Sequence, residues 1–147
     1  MTLDSEVQSL RQVPMFRDID PARLKLLAFT GERVHFSAGQ LFFRQGDAAD
    51  AAYVILEGQA EVTLDTLSGP LKVAELARND VVGEMGILSD TPRSATVTAA
   101  TPVVALRIDK RVFLELLNQF PQMSIAVMRE LAKRLERTNA RLVRSNS

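Results

Sequence analysis

This chain has no cysteine, no tryptophan, one tyrosine and one histidine among its 147 residues. Without cysteine it can form no disulfide, no thiol nucleophile and no thiolate-held cluster, and it suits a reducing, cytoplasmic compartment. One imidazole cannot supply the converging ligands of a cupin-type metal enzyme, and it weighs against a haem sensor as well. That residue, His35, falls in a strand-like run and is expected at a surface or edge. An excess of either charge is also missing. The 18 basic and 18 acidic residues cancel, so nothing in the balance points to direct nucleic-acid binding. No apolar run approaches the ~20 residues of a membrane span. The acidic start, Met1–Glu6, lacks the apolar core of a signal segment. What is present is 46% apolar residues, enough for one domain over residues 1–147 with a single core. No repeat or linker interrupts it.

The hydrophobic period changes twice. Ser5 is a candidate cap for a helix through Leu10, broken at Pro14. Asp20-Pro21 is a strong helix start, and Leu24, Leu27 and Ala28 continue it to Gly31. From Arg33 the pattern alternates. Short strands are expected at Leu41–Phe43, Tyr53–Leu56, Ala60–Leu64, Leu71–Leu76, Ala95–Ala99 and Val103–Ile108, with turns at Gly39, Gly46, Gly58 and Gly69. Strands this short and this evenly spaced argue for a small β-sandwich or barrel. At Asp109 a helical period returns with Val112, Phe113, Leu116 and Leu117. Phe120-Pro121 then opens a longer helix to about Val143. Its seam of Ile125, Met128, Leu131, Leu135 and Leu142 is expected to pack on the strands, with a paired helix in a homodimer as the alternative.

The most informative stretch runs from Val82 to Val97. Gly83-Glu84-Met85-Gly86 reads as a tight turn entering one short helical turn, whose free N–H groups favour an anion. Arg93 follows a proline-ended loop and can add a planar, bidentate counter-charge. Glu84 beside an anion makes sense if it faces a neutral donor such as a ribose hydroxyl. The three features together describe a site for a cyclic sugar phosphate. The bland alternative is an ion pair between Glu84 and Arg93.

This stretch resembles the phosphate-binding cassette of the cyclic nucleotide-binding domain family, which includes protein kinase A regulatory subunits, bacterial catabolite activators and cyclic-nucleotide-gated channels. A second similarity lies upstream, in Gly39 with Leu41-Phe42, Gln45-Gly46-Asp47, and Tyr53-Val54-Ile55-Leu56 with Gly58 and Glu61-Val62. The resemblance covers roughly Phe16 to Leu142. It implies a mainly β fold, a double-stranded β-helix or jelly-roll-like β-roll over about 33–108. N-terminal helices would precede the roll and two C-terminal helices would occupy about 109–143. It also implies roles. Glu84 would accept the ribose 2′-hydroxyl, and the N–H groups of Gly86 and Ser94 would hold the phosphate beside Arg93, within a cassette that includes Gly83 and Met85. Val62, Leu76 and Val82 would line the purine pocket, with Val82 standing where the family often has phenylalanine. Arg134 matches the place where some channel-type domains carry an arginine that caps the base.

The ligand implied is cAMP, with cGMP left open by Ser94, and no further cofactor is expected. Glu84 has no partner arranged for acid–base work and Ser94 has no base nearby in sequence, so regulation by binding is expected, not catalysis. A recognition helix would have to follow the long helix, and the sequence stops at Ser147. The chain is therefore read as a regulatory module for an unidentified effector. The alternatives are a fragment of a larger transcription regulator, channel or transporter, or a β-roll whose site binds no nucleotide.

Overall fold

A computed structural model of the chain describes residues 3–17 and 19–145, without the side chains of Leu3, Arg134 and residues 138–145. Helix α1, Leu3–Gln12, leads into a short 3-10 turn at Pro14–Phe16 and then α2, Pro21–Thr30. The Asp20 side chain caps α2 by accepting from the Ala22 N–H at 3.3 Å. Ser5 lies inside α1, not at its start. What fixes α1 is tertiary: Glu6, fully buried, forms a two-pronged ion pair with Arg33, and Leu10 is fully buried.

Eight antiparallel strands follow: β1 Glu32–Phe36, β2 Leu41–Phe43, β3 Ala51–Glu57, β4 Ala60–Thr66, β5 Gly69–Leu76, β6 Val81–Val82, β7 Thr96–Ala99 and β8 Val103–Asp109. They form two four-stranded sheets, ordered β1-β8-β3-β6 and β2-β7-β4-β5. Helix α3, Glu84–Ser89, interrupts them between β6 and β7. Helices α4, Lys110–Gln119, and α5, Pro121–Ser145, complete the chain. Asp109 caps α4, accepting from the Arg111 N–H at 2.8 Å. His35 is exposed on edge strand β1, as expected.

Strand β3 shows why the core is double. Successive side chains point to opposite faces. Ala51, Tyr53 and Ile55 enter a cluster between the sheets with Phe36, Phe42 and Val82. Ala52, Val54 and Leu56 face a second cluster, built from the helices around Phe16, Leu24 and Phe113. A strand buried on both faces has no polar alternation, and six consecutive buried residues of β3 fit that requirement.

The long helix departs from expectation. Met123 and Val127 are buried and Leu131 packs partly on the helical cluster. Ile125, Met128 and Leu135, in contrast, are 37%, 59% and 62% exposed. Of the expected seam only Leu131 packs inward, Ile125, Met128 and Leu135 do not, and the side chain of Leu142 lies outside the described residues. Helix α5 leans on the 3-10 turn and α4 through another face, which leaves this one uncovered. Among the described residues no helix is long and apolar enough to cross a membrane.

Candidate functional site

The segment between β6 and β7 is shaped by its glycines. Gly83 has φ +82°, and a Cβ there would stand 2.4 Å from Arg93 Nη1 and 2.9 Å from the Phe43 ring. Neither the backbone angle nor the space admits a side chain. Gly86 is excluded from substitution by packing alone, since a Cβ would lie 2.6 Å from that of Ala49. These two close approaches seat α3 against the roll. At the C-terminus of α3, the Thr91 N–H donates to the Gly86 carbonyl at 3.0 Å. The loop is then clamped to the upstream turn: the Arg93 N–H donates to Asp47 O and the Gly46 N–H donates to Arg93 O, both at 2.8 Å. The Gln45-Gly46-Asp47 turn is thus the support on which the cassette is held.

Arg93 is the centre of the arrangement. It is only 4% exposed. Its Nη1 donates to Gly83 O and its Nη2 to Ala51 O, each at 2.5 Å. The guanidinium carbon lies 4.0 Å over the Phe43 ring centre. Its nearest acidic group is Asp50, at 3.5 Å, itself shared with Arg107 at the same distance. Burial lowers the Arg93 pKa, and Asp50 opposes that shift. One donor is left over: Nε is buried with no hydrogen-bond partner among the described residues. A buried cation with an unpaired N–H is costly by itself, and an anionic ligand would relieve it.

Glu84 begins α3 and is buried, at 8% exposure. The first N–H groups of a helix have no intrahelical acceptor, and here they belong to Glu84, Met85 and Gly86. These three residues and Arg93 line one cavity of about 460 Å³, within the usual range for small-molecule sites. Nine of the residues expected at the site line it: Val62, Leu76, Val82, Gly83, Glu84, Met85, Gly86, Arg93 and Ser94. The side chain of Arg134 lies outside the described residues.

Six described lining residues were not anticipated, Phe43, Ala74, Val81, Ala95, Val97 and Arg137, and two of them bear on the chemistry. Phe43 stacks on Arg93 from a strand that the sequence marks only as apolar. Arg137 reaches the cavity from α5 and was not among the residues expected at the site. No local signal separates Arg137 from its neighbours, because only the angle of α5 against the roll decides which residue reaches the cavity.

The cyclic nucleotide-binding domain model matches residues 33–120. The chain is 36% identical over 118 residues to a cAMP-dependent protein kinase regulatory subunit of Dictyostelium discoideum, covering 78% of this chain and 36% of that one. It is 34% identical over 130 residues to an NTE family protein of Mycobacterium tuberculosis, covering 88% of this chain and 22% of the relative. The chain thus spans only a minor part of either relative. Among solved structures it is similar to the catabolite activator protein of Thermus thermophilus, with a TM-score of 0.79 at 26% identity over 88% of this chain and 61% of that one. The sensor domain of the regulator DNR from Pseudomonas aeruginosa shares the fold, with a TM-score of 0.82 at 24% identity over 94% and 93% of the two chains. A cassette built on Gly83, Glu84 and Arg93, carried by a roll of two antiparallel sheets and matched over most of its length by the family model, places this chain in the cyclic nucleotide-binding domain family.

Proposed function

We infer that this domain binds a 3′,5′-cyclic purine nucleotide and passes its occupancy on through α5. The observation that carries this reading is the buried Arg93 with an unpartnered Nε at the wall of a cavity of about 460 Å³. The phosphate is placed at Arg93 and at the N–H groups of Gly86 and Ser94, and the ribose 2′-hydroxyl at the Glu84 carboxylate. The purine lies along Val62, Leu76 and Val82. The similarity to a cAMP-dependent protein kinase regulatory subunit and to a CRP-like cAMP-activated regulator of Mycobacterium tuberculosis supports cAMP as the ligand. The role is binding, not turnover. A cytoplasmic location suits a chain without cysteine.

Arg137 lines the cavity from α5, which supports α5 as the moving element. A ligand shifts such an equilibrium only by its difference in affinity for the two states. Hydrogen exchange over residues 121–137 is expected to slow when ligand is added, and unchanged exchange would remove the moving-helix part of the reading.

Binding itself is tested by thermal unfolding. A ligand at 100 times its Kd that binds only the folded state adds about 2.7 kcal/mol, or roughly 5–11 °C for a domain of this size. The shift is expected with cAMP or cGMP at millimolar concentration and not with 5′-AMP. No shift with either cyclic nucleotide would leave a β-roll with a degenerate site.

A second reading concerns the partner. Ile125, Met128 and Leu135 are exposed along α5 with Ala132 between them, at the alternating spacing of three and four that pairs helices. A second copy of α5 would cover this stripe. Sedimentation is expected to give a dimer that Met128→Glu with Leu135→Glu converts to a monomer.

A further inference from the structure

Phe43 comes to the cavity through an irregularity of its strand. In a regular strand, neighbouring side chains point to opposite faces, so Phe42 and Phe43 would part. Here Leu41 lies opposite Thr98 and Phe43 opposite Val97, two steps along β2 against one along β7. Such a bulge re-aims the side chains around it. Both rings consequently pack on the cluster between the sheets. Phe42 stacks on Phe36 with ring centres 4.0 Å apart. Phe43 stands 6.5 Å from the Tyr53 ring and goes on to line the cavity, with the Arg93 guanidinium carbon 4.0 Å over its centre. Gly83 leaves room for both groups, since a Cβ there would meet Phe43 Cε2 at 2.9 Å and Arg93 Nη1 at 2.4 Å.

This contact suits a cation that is kept for a ligand. An aromatic face attracts a guanidinium, yet it has no net charge with which to repel an anion. A carboxylate in the same place would hold Arg93 and oppose a phosphate. The carbonyls of Gly83 and Ala51 fix the two Nη atoms, and the ring fixes the guanidinium from the side. We propose that Phe43 is a positioning residue for anion recognition: its ring holds the Arg93 guanidinium in one orientation, so that the N–H groups left by the two carbonyl bonds meet a phosphate stereospecifically. This rests on the cyclic-nucleotide reading above and says what keeps its central residue ready.

The test uses whichever of cAMP and cGMP binds wild type more tightly, with the two phosphorothioates of that nucleotide. In these, sulfur replaces one or the other exocyclic oxygen of the phosphate, and an arginine held in one orientation favours one of the pair. Calorimetry of the full chain is compared across wild type, Phe43→Leu, Phe43→Met and Phe43→Tyr, with a ligand-free thermal scan to check folding. Leucine and methionine should weaken the parent nucleotide about 5-fold, within the roughly 2- to 12-fold that ordering one rotamer-rich side chain on binding represents. They should also shrink the preference between the phosphorothioates, whereas tyrosine, which keeps the aromatic face, should retain the preference and lie nearer wild type in affinity. Equal losses for all three ligands would overturn the proposal, because a ring that merely fills the wall leaves the preference intact. Unchanged affinity in both non-aromatic variants would overturn it, as would tyrosine binding no better than leucine, or a wild type without a preference. Loss of folding in both Phe43→Leu and Phe43→Met would make the ring a part of the core and overturn it too. Absence of any binding of cAMP or cGMP to wild type would sink the cyclic-nucleotide reading and this inference with it, whereas binding with an unaltered preference across the variants sinks this inference alone.

Discussion

Replacing Arg93 by alanine should have two separable effects, because the arginine holds the protein as well as any ligand. In the fold, its Nη atoms bond the carbonyls of Gly83 and Ala51 at 2.5 Å, and the side chain is 4% exposed. Hydrogen bonds to a charged group contribute about 1.5–3 kcal/mol each. Against this stands the cost of keeping a cation buried with Nε unpartnered, which alanine removes. The net loss is expected near 2 kcal/mol, or roughly 4–8 °C in melting temperature at this chain length. Binding suffers more. A buried phosphate without its counter-charge loses about 2–5 kcal/mol, a roughly 30- to several-thousand-fold rise in Kd. Calorimetry with cAMP and a thermal scan without ligand measure the two terms on one sample. Arg93→Lys keeps the charge but has a single compact donor head, which cannot serve both carbonyls and the ligand together. It should lie between alanine and wild type in both assays. If Arg93→Ala bound cAMP within about threefold of wild type, the phosphate would have to lie elsewhere and the counter-charge argument would not apply. If binding were lost while the melting temperature stayed put, the two carbonyl bonds would contribute nothing net to the fold.

Three further outcomes are expected. Glu84→Gln should weaken cAMP and largely erase the wild-type loss of about 1.5–3 kcal/mol for 2′-deoxy-cAMP; an undiminished difference in competition binding would take Glu84 out of the ribose contact. Gly83→Ala forces a Cβ to 2.4 Å from Arg93 Nη1 at a φ of +82°, and should cost about 1–3 kcal/mol in urea unfolding together with much of the affinity, so normal binding by this variant would contradict the close packing. Arg33→Ala leaves the fully buried Glu6 without its ion pair; the full penalty of about 3–5 kcal/mol for a broken buried pair falls to about 1–3 kcal/mol because the Arg33 side chain is 39% exposed, and the double variant Glu6→Gln, Arg33→Ala should recover part of it in the same assay.

Much of this domain is local and was therefore legible without coordinates. The caps Asp20 and Asp109 act within two residues of themselves, and strands of period two reveal themselves over a few positions. The cassette is the clearest case. The turn at Gly83 and the start of α3 are set by consecutive residues, and Arg93 follows at the end of the same loop. Seven of the nine expected lining residues, Val82, Gly83, Glu84, Met85, Gly86, Arg93 and Ser94, share one cavity for that reason, whereas Val62 and Leu76 are brought to it by β4 and β5. Ser5 shows the opposite case. It carries a valid capping signal, yet α1 starts at Leu3, because the buried Glu6–Arg33 pair and Leu10 position the helix from outside it.

The sequence by itself determined the family and most of the residues that share the cavity, the Gly83–Gly86 turn with Glu84 and then Arg93, on a roll of short strands. Tertiary structure decided how those residues are held. One of the two carbonyls that fasten Arg93 belongs to Ala51, 42 positions away, and the ring beneath it to Phe43. The same holds for α5. Its periodicity predicts an apolar seam, but a helix has several faces. Only its docking on the 3-10 turn and α4 buries Met123 and Val127, exposes Met128 and Leu135, and brings Arg137 to the cavity. Local pattern fixes which residues share a face, whereas the angle between packed elements fixes where that face points.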